Sequence, residues 1–204
     1  MSLIPEFELG LWNAWILVLL MFFIVIGLSF LIIRLFFNGT KSQESYRRHS
    51  TTPQLSRLEK KLSHLSTVTL LTTLGYSVFL PLKLGTGWFY AGLFVYLLGM
   101  IFGFIAMINF AAAPLDKPAT EGVYRFSRHP MYFSMFLMFI GIGIACFSWV
   151  FVLLAMIWLT LSDRGVVAEE RLCLETYGEA YRKYMDRTPR WIGMPRPGKN
   201  NRED

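Results

Sequence analysis

The chain has 204 residues, 54% of them hydrophobic, 16% aromatic and only 17% charged, with a formal net charge of +6. Soluble domains sit at roughly 45–50% apolar and about 25% charged, and here the apolar excess is clustered: residues 11–33, 62–82, 84–115 and 129–162 contain no Asp, Glu, Lys or Arg. This excludes an ordinary soluble globular domain. It also argues against a nucleic-acid-binding protein, because no basic face with interleaved aromatics stands apart from the flanks of the apolar runs.

The composition and its clustering predict an all-α, polytopic membrane helix bundle. Crossing a hydrocarbon core of ~30 Å takes about 20 apolar residues. After a lead of residues 1–10, span 1 is expected over about 11–36. It is not a cleavable signal peptide, because Glu6 and Glu8 precede it where a basic region would stand. A polar loop follows, holding Lys41, Arg47, Arg48, Arg57, Lys60 and Lys61. Its Asn38-Gly39-Thr40 sequence fits a glycosylation sequon, read here as chance on the inner side.

Span 2, about 62–84, is the most polar, with Ser63, Ser66, Thr67, Thr69, Thr72, Thr73 and Ser77. Such a helix is expected inside the bundle, hydrogen-bonded to its neighbours. Span 3, 88–112, carries Gly99-x-x-x-Gly103, a close-packing signature. The run 129–162 would make one helix of about 51 Å, far thicker than a bilayer. Both of its flanks are basic, with Arg125 and Arg128 before it and Arg164 and Arg171 after it. Two ends on one side require an even number of crossings, so spans 4 and 5 form a hairpin turning near Gly143–Ser148. Five spans result.

The loop 114–130 and the tail from 164 hold most of the remaining Lys and Arg. The positive-inside bias then sets the N-terminus outside and the C-terminus in the cytoplasm. The tail resumes as an amphipathic helix over about 166–185, in which Glu170, Leu174, Tyr177, Tyr181 and Tyr184 share one face. A carboxylate on that face requires a partner. The whole reads as one membrane domain, 1–204: three N-terminal spans over 1–113, a chemically loaded region over 114–190 and a flexible tail over 191–204.

Cys146 and Cys173 fall on opposite sides and cannot pair. His49, His64 and His129 are scattered, and no His, Cys and carboxylate spacing indicates a metal site. The segment Thr120-Glu121-Gly122-Val123-Tyr124-Arg125-Phe126-Ser127-Arg128-His129-Pro130-Met131-Tyr132 is different. It places two Arg, one His and two Tyr within nine residues at a membrane boundary. Interface anchoring explains Arg and Tyr there, but not their order.

Gly-x-Tyr-x-x-x-Arg-His-Pro-x-Tyr, then a hydrophobic hairpin, then Glu169-Glu170 and Tyr177-Gly178-x-x-Tyr181-x-x-Tyr184 resembles the isoprenylcysteine carboxyl methyltransferase and phospholipid methyltransferase superfamily. The likeness runs from about Asn109 to Tyr184. It implies a membrane methyltransferase using S-adenosylmethionine, whose partners are the lipid bilayer and a lipophilic or small-molecule substrate; the expected location is a prokaryotic inner membrane. It carries over Thr120, Gly122, Tyr124, His129, Pro130 and Tyr132 as cofactor-pocket residues, with Glu169 facing the cofactor and Glu170 as its pair. Arg128 suits bidentate recognition of a carboxylate and joins Glu169 and Arg164 as a catalytic candidate.

Two departures bear on the acceptor. Pro118-Ala119 stand where the prenylcysteine enzymes have Leu-Val. Gly165 stands where they tend to carry a substrate-facing Arg, with Arg164 one step earlier. A carboxylate, an amine and a thiol all remain open as acceptor. Two other functions stay open on the residues themselves: an NADPH-dependent reductase of the sterol-reductase type, and a membrane scaffold without a cofactor.

Overall fold

A computed structural model of the chain describes residues 9–36, 55–114 and 116–195. The acidic lead with Glu6 and Glu8, most of the first polar loop with the Asn38 sequon, the Arg34 side chain and the tail from 196 lie outside the described residues. Among those residues there are six α-helices and no strand. They are α1 (Trp15–Phe36), α2 (Arg57–Ser77), α3 (Gly87–Ala112), α4 (Pro130–Ala145), α5 (Trp149–Tyr177) and α6 (Glu179–Arg187), with a 3₁₀ turn over Gly122–Arg125.

Local signals account for the helix ends. Ser56 and Glu59 form a reciprocal capping box that starts α2 five residues before its apolar run. Thr86 and Ser148 cap α3 and α5 through their side chains. Pro130 occupies the first turn of α4, where its missing N–H is no loss.

The hairpin of α4 and α5 is present, with its turn at Cys146–Ser148. α3 packs chiefly on α4, α2 on α5, and α1 on α3 and α2. The glycines make the α3–α4 approach possible. A Cβ on Gly99 would lie 2.9 Å from the Met138 backbone nitrogen, and one on Gly103 would lie 2.8 Å from Ser134 Oγ. The Gly-x-x-x-Gly face is thus spent within the chain. Tyr96 donates to the Leu17 carbonyl at 2.8 Å and ties α3 to α1, beside a core of Phe139, Ile142, Phe151 and Trp158.

Three expectations change. Among the described residues two helices, α3 and α5, are both long and apolar enough to cross a membrane, fewer than the five spans expected. α4 and the Trp15–Val25 stretch of α1 are shorter apolar helices, and α2 opens on Glu59, Lys60 and Lys61. The hydroxyls of α2 mostly do not reach its neighbours. Thr67, Thr69, Thr72 and Thr73 each donate to the carbonyl four residues earlier, the back-bond open to any helical Thr. Ser66 reaches across, to Ser162 at 2.9 Å, and Tyr76 stands 3.4 Å from Ser148.

The tail helix also does not begin anew at about 166. α5 runs unbroken through 163–177, so that Asp163, Arg164 and the Glu169–Glu170 pair ride on a rigid extension of the last apolar helix. The break comes at Gly178, whose φ of 56° re-aims α6.

The chain segments 113–129 and 188–193, the first turn of α4 and the last turns of α5 meet at one end of the bundle. The opposite end holds the Asn13–Pro81 bridge, with Lys83 N donating to Ala145 O at 3.3 Å.

Candidate functional site

Gly122 begins the site's scaffold. Its φ is 61°, and a Cβ there would collide with the Asn109 side chain. The absence of that Cβ lets Asn109 Oδ1 accept from Val123 N at 3.1 Å and pin the 3₁₀ turn to the end of α3. Tyr124 is buried in a cluster with Tyr181 and Tyr184 and stacks on Phe110. The Tyr184 hydroxyl donates to the Tyr124 carbonyl at 2.7 Å, so α6 holds the turn from below.

The next residues are clasped by the chain after α6. Arg128 N donates to Pro189 O at 3.0 Å, and His129 N to Arg190 O at 3.3 Å. Gly193 N donates to Phe126 O at 3.0 Å. Ser127, fully buried, accepts from His129 N at 3.1 Å and donates to Arg190 O at 3.2 Å. The backbone of the Arg-His-Pro element is therefore fixed from two sides.

Its side chains converge on the acidic pair. His129 makes no side-chain cap, although it precedes α4. Its Nε2 lies 3.3 Å from Glu170 Oε1 and its Nδ1 lies 3.7 Å from Glu169 Oε2. Tyr132 donates to Glu169 Oε1 at 2.7 Å, its ring set by stacking on Trp158. The two carboxylates then part company.

Glu170 is buried, with 3% exposure, and is fully engaged. Arg190 donates from Nε to Oε1 at 3.2 Å and from Nη2 to Oε2 at 2.8 Å. Arg128 Nη1 lies 3.0 Å from Oε1. Arg190 also reaches Asp163 Oδ1 at 3.2 Å. Two cations and His129 around one buried carboxylate offset its desolvation. The hydrogen bond to Glu170 raises the affinity of the Arg190 guanidinium for its proton further still.

Glu169 keeps its side chain 42% exposed, so it is the carboxylate left facing outward. Its charge is felt nearby: burial and then Glu169 push the Tyr124 phenol above its ordinary value. Arg128 has the opposite character. It is nearly buried, yet its alignment toward Glu170 leaves Nε and Nη1 without a hydrogen-bond partner. Such donors call for an acceptor. An outward carboxylate among aromatic rings attracts a cation, and unsatisfied guanidinium donors accept an anion, so the set suits a zwitterionic ligand.

The other sequence candidates fall as follows. Thr120 is half-buried at the loop start, and Pro130 is buried in the first turn of α4. Gly122 supports the turn through backbone shape. Arg164 is exposed and separate: it lines a cleft of about 490 Å³ with Leu62, Asp163 and Trp191. That cleft adjoins the site through Trp191, whose ring centroid is 6.5 Å from that of His129. Gly165 has open space around it.

Sequence reasoning missed Arg190, Asp163, Ser127 and Asn109. The one signal available was the requirement that Glu170 have a partner. Among the described residues no group of His, Cys, Asp and Glu is arranged to hold a metal.

The family described as phospholipid methyltransferase matches residues 83–180. The match takes in α3, the 3₁₀ turn, the α4–α5 hairpin and the start of α6, and ends before Arg190. No curated protein matches the chain.

Proposed function

We infer, from the premise that residues 83–180 belong to the phospholipid methyltransferase family, that this chain is an integral membrane methyltransferase that uses S-adenosylmethionine. It acts on an acceptor at the inner membrane face as one domain of five crossings. The N-terminus lies outside and the C-terminus in the cytoplasm. The observation that carries the reading is the division of labour between the paired carboxylates. Glu170 is consumed by Arg128, His129 and Arg190, whereas Glu169 stays half-exposed beside Tyr132.

The donor set fits the cofactor. S-adenosylmethionine supplies, when bound, an electrophilic methyl group on a positively charged sulfur. Glu169 and the Tyr132 ring would hold the cationic side of that ligand. The free donors of Arg128 would take its carboxylate, and Tyr124 and Pro130 would close the wall. The acceptor's lone pair forms the new bond to the methyl carbon, and the carbon–sulfur pair returns to sulfur. An amine or thiol acceptor also gives up its proton.

Little covalent chemistry falls to the protein, so rate depends on placing donor and acceptor in line. The rigid clasp around Ser127–His129 serves that placement. Loss of positive charge on transfer weakens the Glu169 attraction and favours release of the product.

The deciding experiment is calorimetric titration of the purified protein in detergent with S-adenosylmethionine, S-adenosylhomocysteine and NADPH. Binding of the first two, with weaker affinity in Glu169→Gln, supports the reading. Binding of NADPH alone would overturn it in favour of a reductase. No binding by any of the three would favour the scaffold.

A further inference from the structure

Glu170 lies within reach of two arginines, yet it accepts hydrogen bonds from one of them. Arg190 takes both carboxylate oxygens as a fork, Nε to Oε1 at 3.2 Å and Nη2 to Oε2 at 2.8 Å. His129 Nε2 also lies 3.3 Å from Oε1. Arg128 Nη1 comes within 3.0 Å of the same oxygen. Among the described residues, however, neither its Nη1 nor its Nε has a hydrogen-bond partner. A guanidinium beside a carboxylate frequently forms the bidentate pair itself. Here that position is filled by Arg190, so Glu170 neutralises Arg128 while the donors of Arg128 stay free.

Asp163 holds Arg190 in that position. The two acids are seven residues apart on α5, hence on one face of the helix and about 10 Å apart along its axis. Arg190 spans them from the segment after α6, its Nη1 donating to Asp163 Oδ1 at 3.2 Å. Charge balances as well, Asp163 and Glu170 against Arg128 and Arg190. The side chains of Asp163 and Arg190 are 32% and 31% exposed. An ion pair so open to water contributes little stability, which leaves orientation as its main effect. Without Arg190, the vacated oxygens of Glu170 would draw Arg128 into the bidentate pair and close its donors to any other anion.

We propose that Asp163 and Arg190 are positioning residues: they occupy Glu170 so that Arg128 stays available for the carboxylate of the ligand. This role rests on the S-adenosylmethionine reading and deepens it, because selectivity for the cofactor's carboxylate then depends on two residues that act through a third. Arg190 lies beyond the stretch 83–180 that matches the family.

The test is calorimetric titration of the full chain in detergent with S-adenosylmethionine and with its decarboxylated analogue, which keeps the sulfonium and the amine. The quantity read is the ratio of the two affinities. In the wild type it should favour S-adenosylmethionine about ten- to a hundredfold, the range for hydrogen bonds to a charged group. Arg190→Ala should bring the ratio close to one, as should Arg128→Ala. Glu170→Gln should keep the preference, because a neutral amide does not capture Arg128. Asp163→Asn should lower the ratio roughly threefold, and it carries the test if Arg190→Ala does not fold.

A ratio unchanged in Arg190→Ala and Asp163→Asn, with both ligands weakened alike, would mean that the pair only supports the fold. That result overturns the positioning role while the cofactor reading stands. A wild-type ratio near one overturns it too, since Arg128 would then not meet the carboxylate. A wild type that binds neither ligand removes the cofactor reading itself, and the positioning role with it.

Discussion

Arg190 donates to both carboxylate oxygens of Glu170, at 3.2 and 2.8 Å, from twenty residues further along the chain. The same residue's carbonyl receives His129 N and the Ser127 hydroxyl. One residue thereby fixes the acidic member of the pair by its side chain and the Arg-His-Pro element by its backbone. Removing a partner from a fully buried ion pair costs roughly 3–5 kcal/mol. The Arg190 side chain is 31% exposed, so solvent screening brings the expected cost of Arg190→Ala to about 1–2 kcal/mol. A melt in detergent should fall by several degrees. Arg190→Lys should recover only part of it, because a single ammonium does not span two oxygens as a planar fork does. An unchanged melting temperature in Arg190→Ala would remove the clasp from the account.

The neighbouring carboxylates should separate cleanly by experiment. Glu169→Gln removes a half-exposed charge that no Lys or Arg among the described residues pairs with, His129 Nδ1 lying 3.7 Å away. Its melting temperature should stay near wild type. Its S-adenosylmethionine affinity should fall about ten- to a hundredfold, the range of a hydrogen bond or contact to a charged group. Glu170→Gln should show the opposite emphasis. It leaves Arg128 and Arg190 crowded without their anion, so its melting temperature falls, and affinity weakens only through displacement of His129. If the two variants behave alike, the assignment of distinct roles fails.

The sequence made legible what depends on period and composition. Charge-free runs located α3, and the basic flanks of 129–162 required the hairpin, whose turn at Cys146–Ser148 falls inside the expected interval. The Tyr face of the tail was also visible, since Tyr181 and Tyr184 do bury together with Tyr124. What stayed hidden depends on pairing between distant, irregular segments. Arg190 lies outside any helix, in a stretch with no periodicity to place it. Asn109 looks like one more polar residue at a helix end until Gly122 is seen to leave room for it. The continuity of α5 past Arg164 is not legible in composition, because the charges from Asp163 onward end only the apolar part of the helix.

The Gly122–Asn109 contact gives a further prediction. Any side chain at 122 meets both a left-handed backbone, with φ at 61°, and the Asn109 amide. Gly122→Ala should therefore cost about 1–3 kcal/mol, the range for strain of this kind. Asn109→Ala removes the obstacle but also the acceptor for Val123 N, and should cost about 1 kcal/mol. The double variant should be more stable than the sum of the two predicts, because the clash is gone. Strict additivity in a double-mutant cycle, read as melting temperature, would show that the turn is not held as described.

Topology can be tested through thiols, though not through the native pair. Cys146 sits in the α4–α5 turn but is only 3% exposed. Burial pushes its thiol up to about 12, with Lys83 opposing weakly, and the thiolate is the reactive form. An impermeant maleimide applied to intact cells should therefore label the wild type slowly at Cys146 and leave Cys173, at the cytoplasmic end, unlabelled. Single cysteines on a cysteine-free background give the answer instead. Leu84 is 47% exposed at the end of the bundle that holds the Cys146 turn. Lys183 is exposed on α6, at the end that holds the site. Basic residues concentrate at the latter end, so it should face the cytoplasm. Leu84→Cys should label on intact cells, and Lys183→Cys only after the membrane is opened. The reverse pattern would invert the orientation and put the Glu169 site on the outer face, away from any cytoplasmic supply of S-adenosylmethionine.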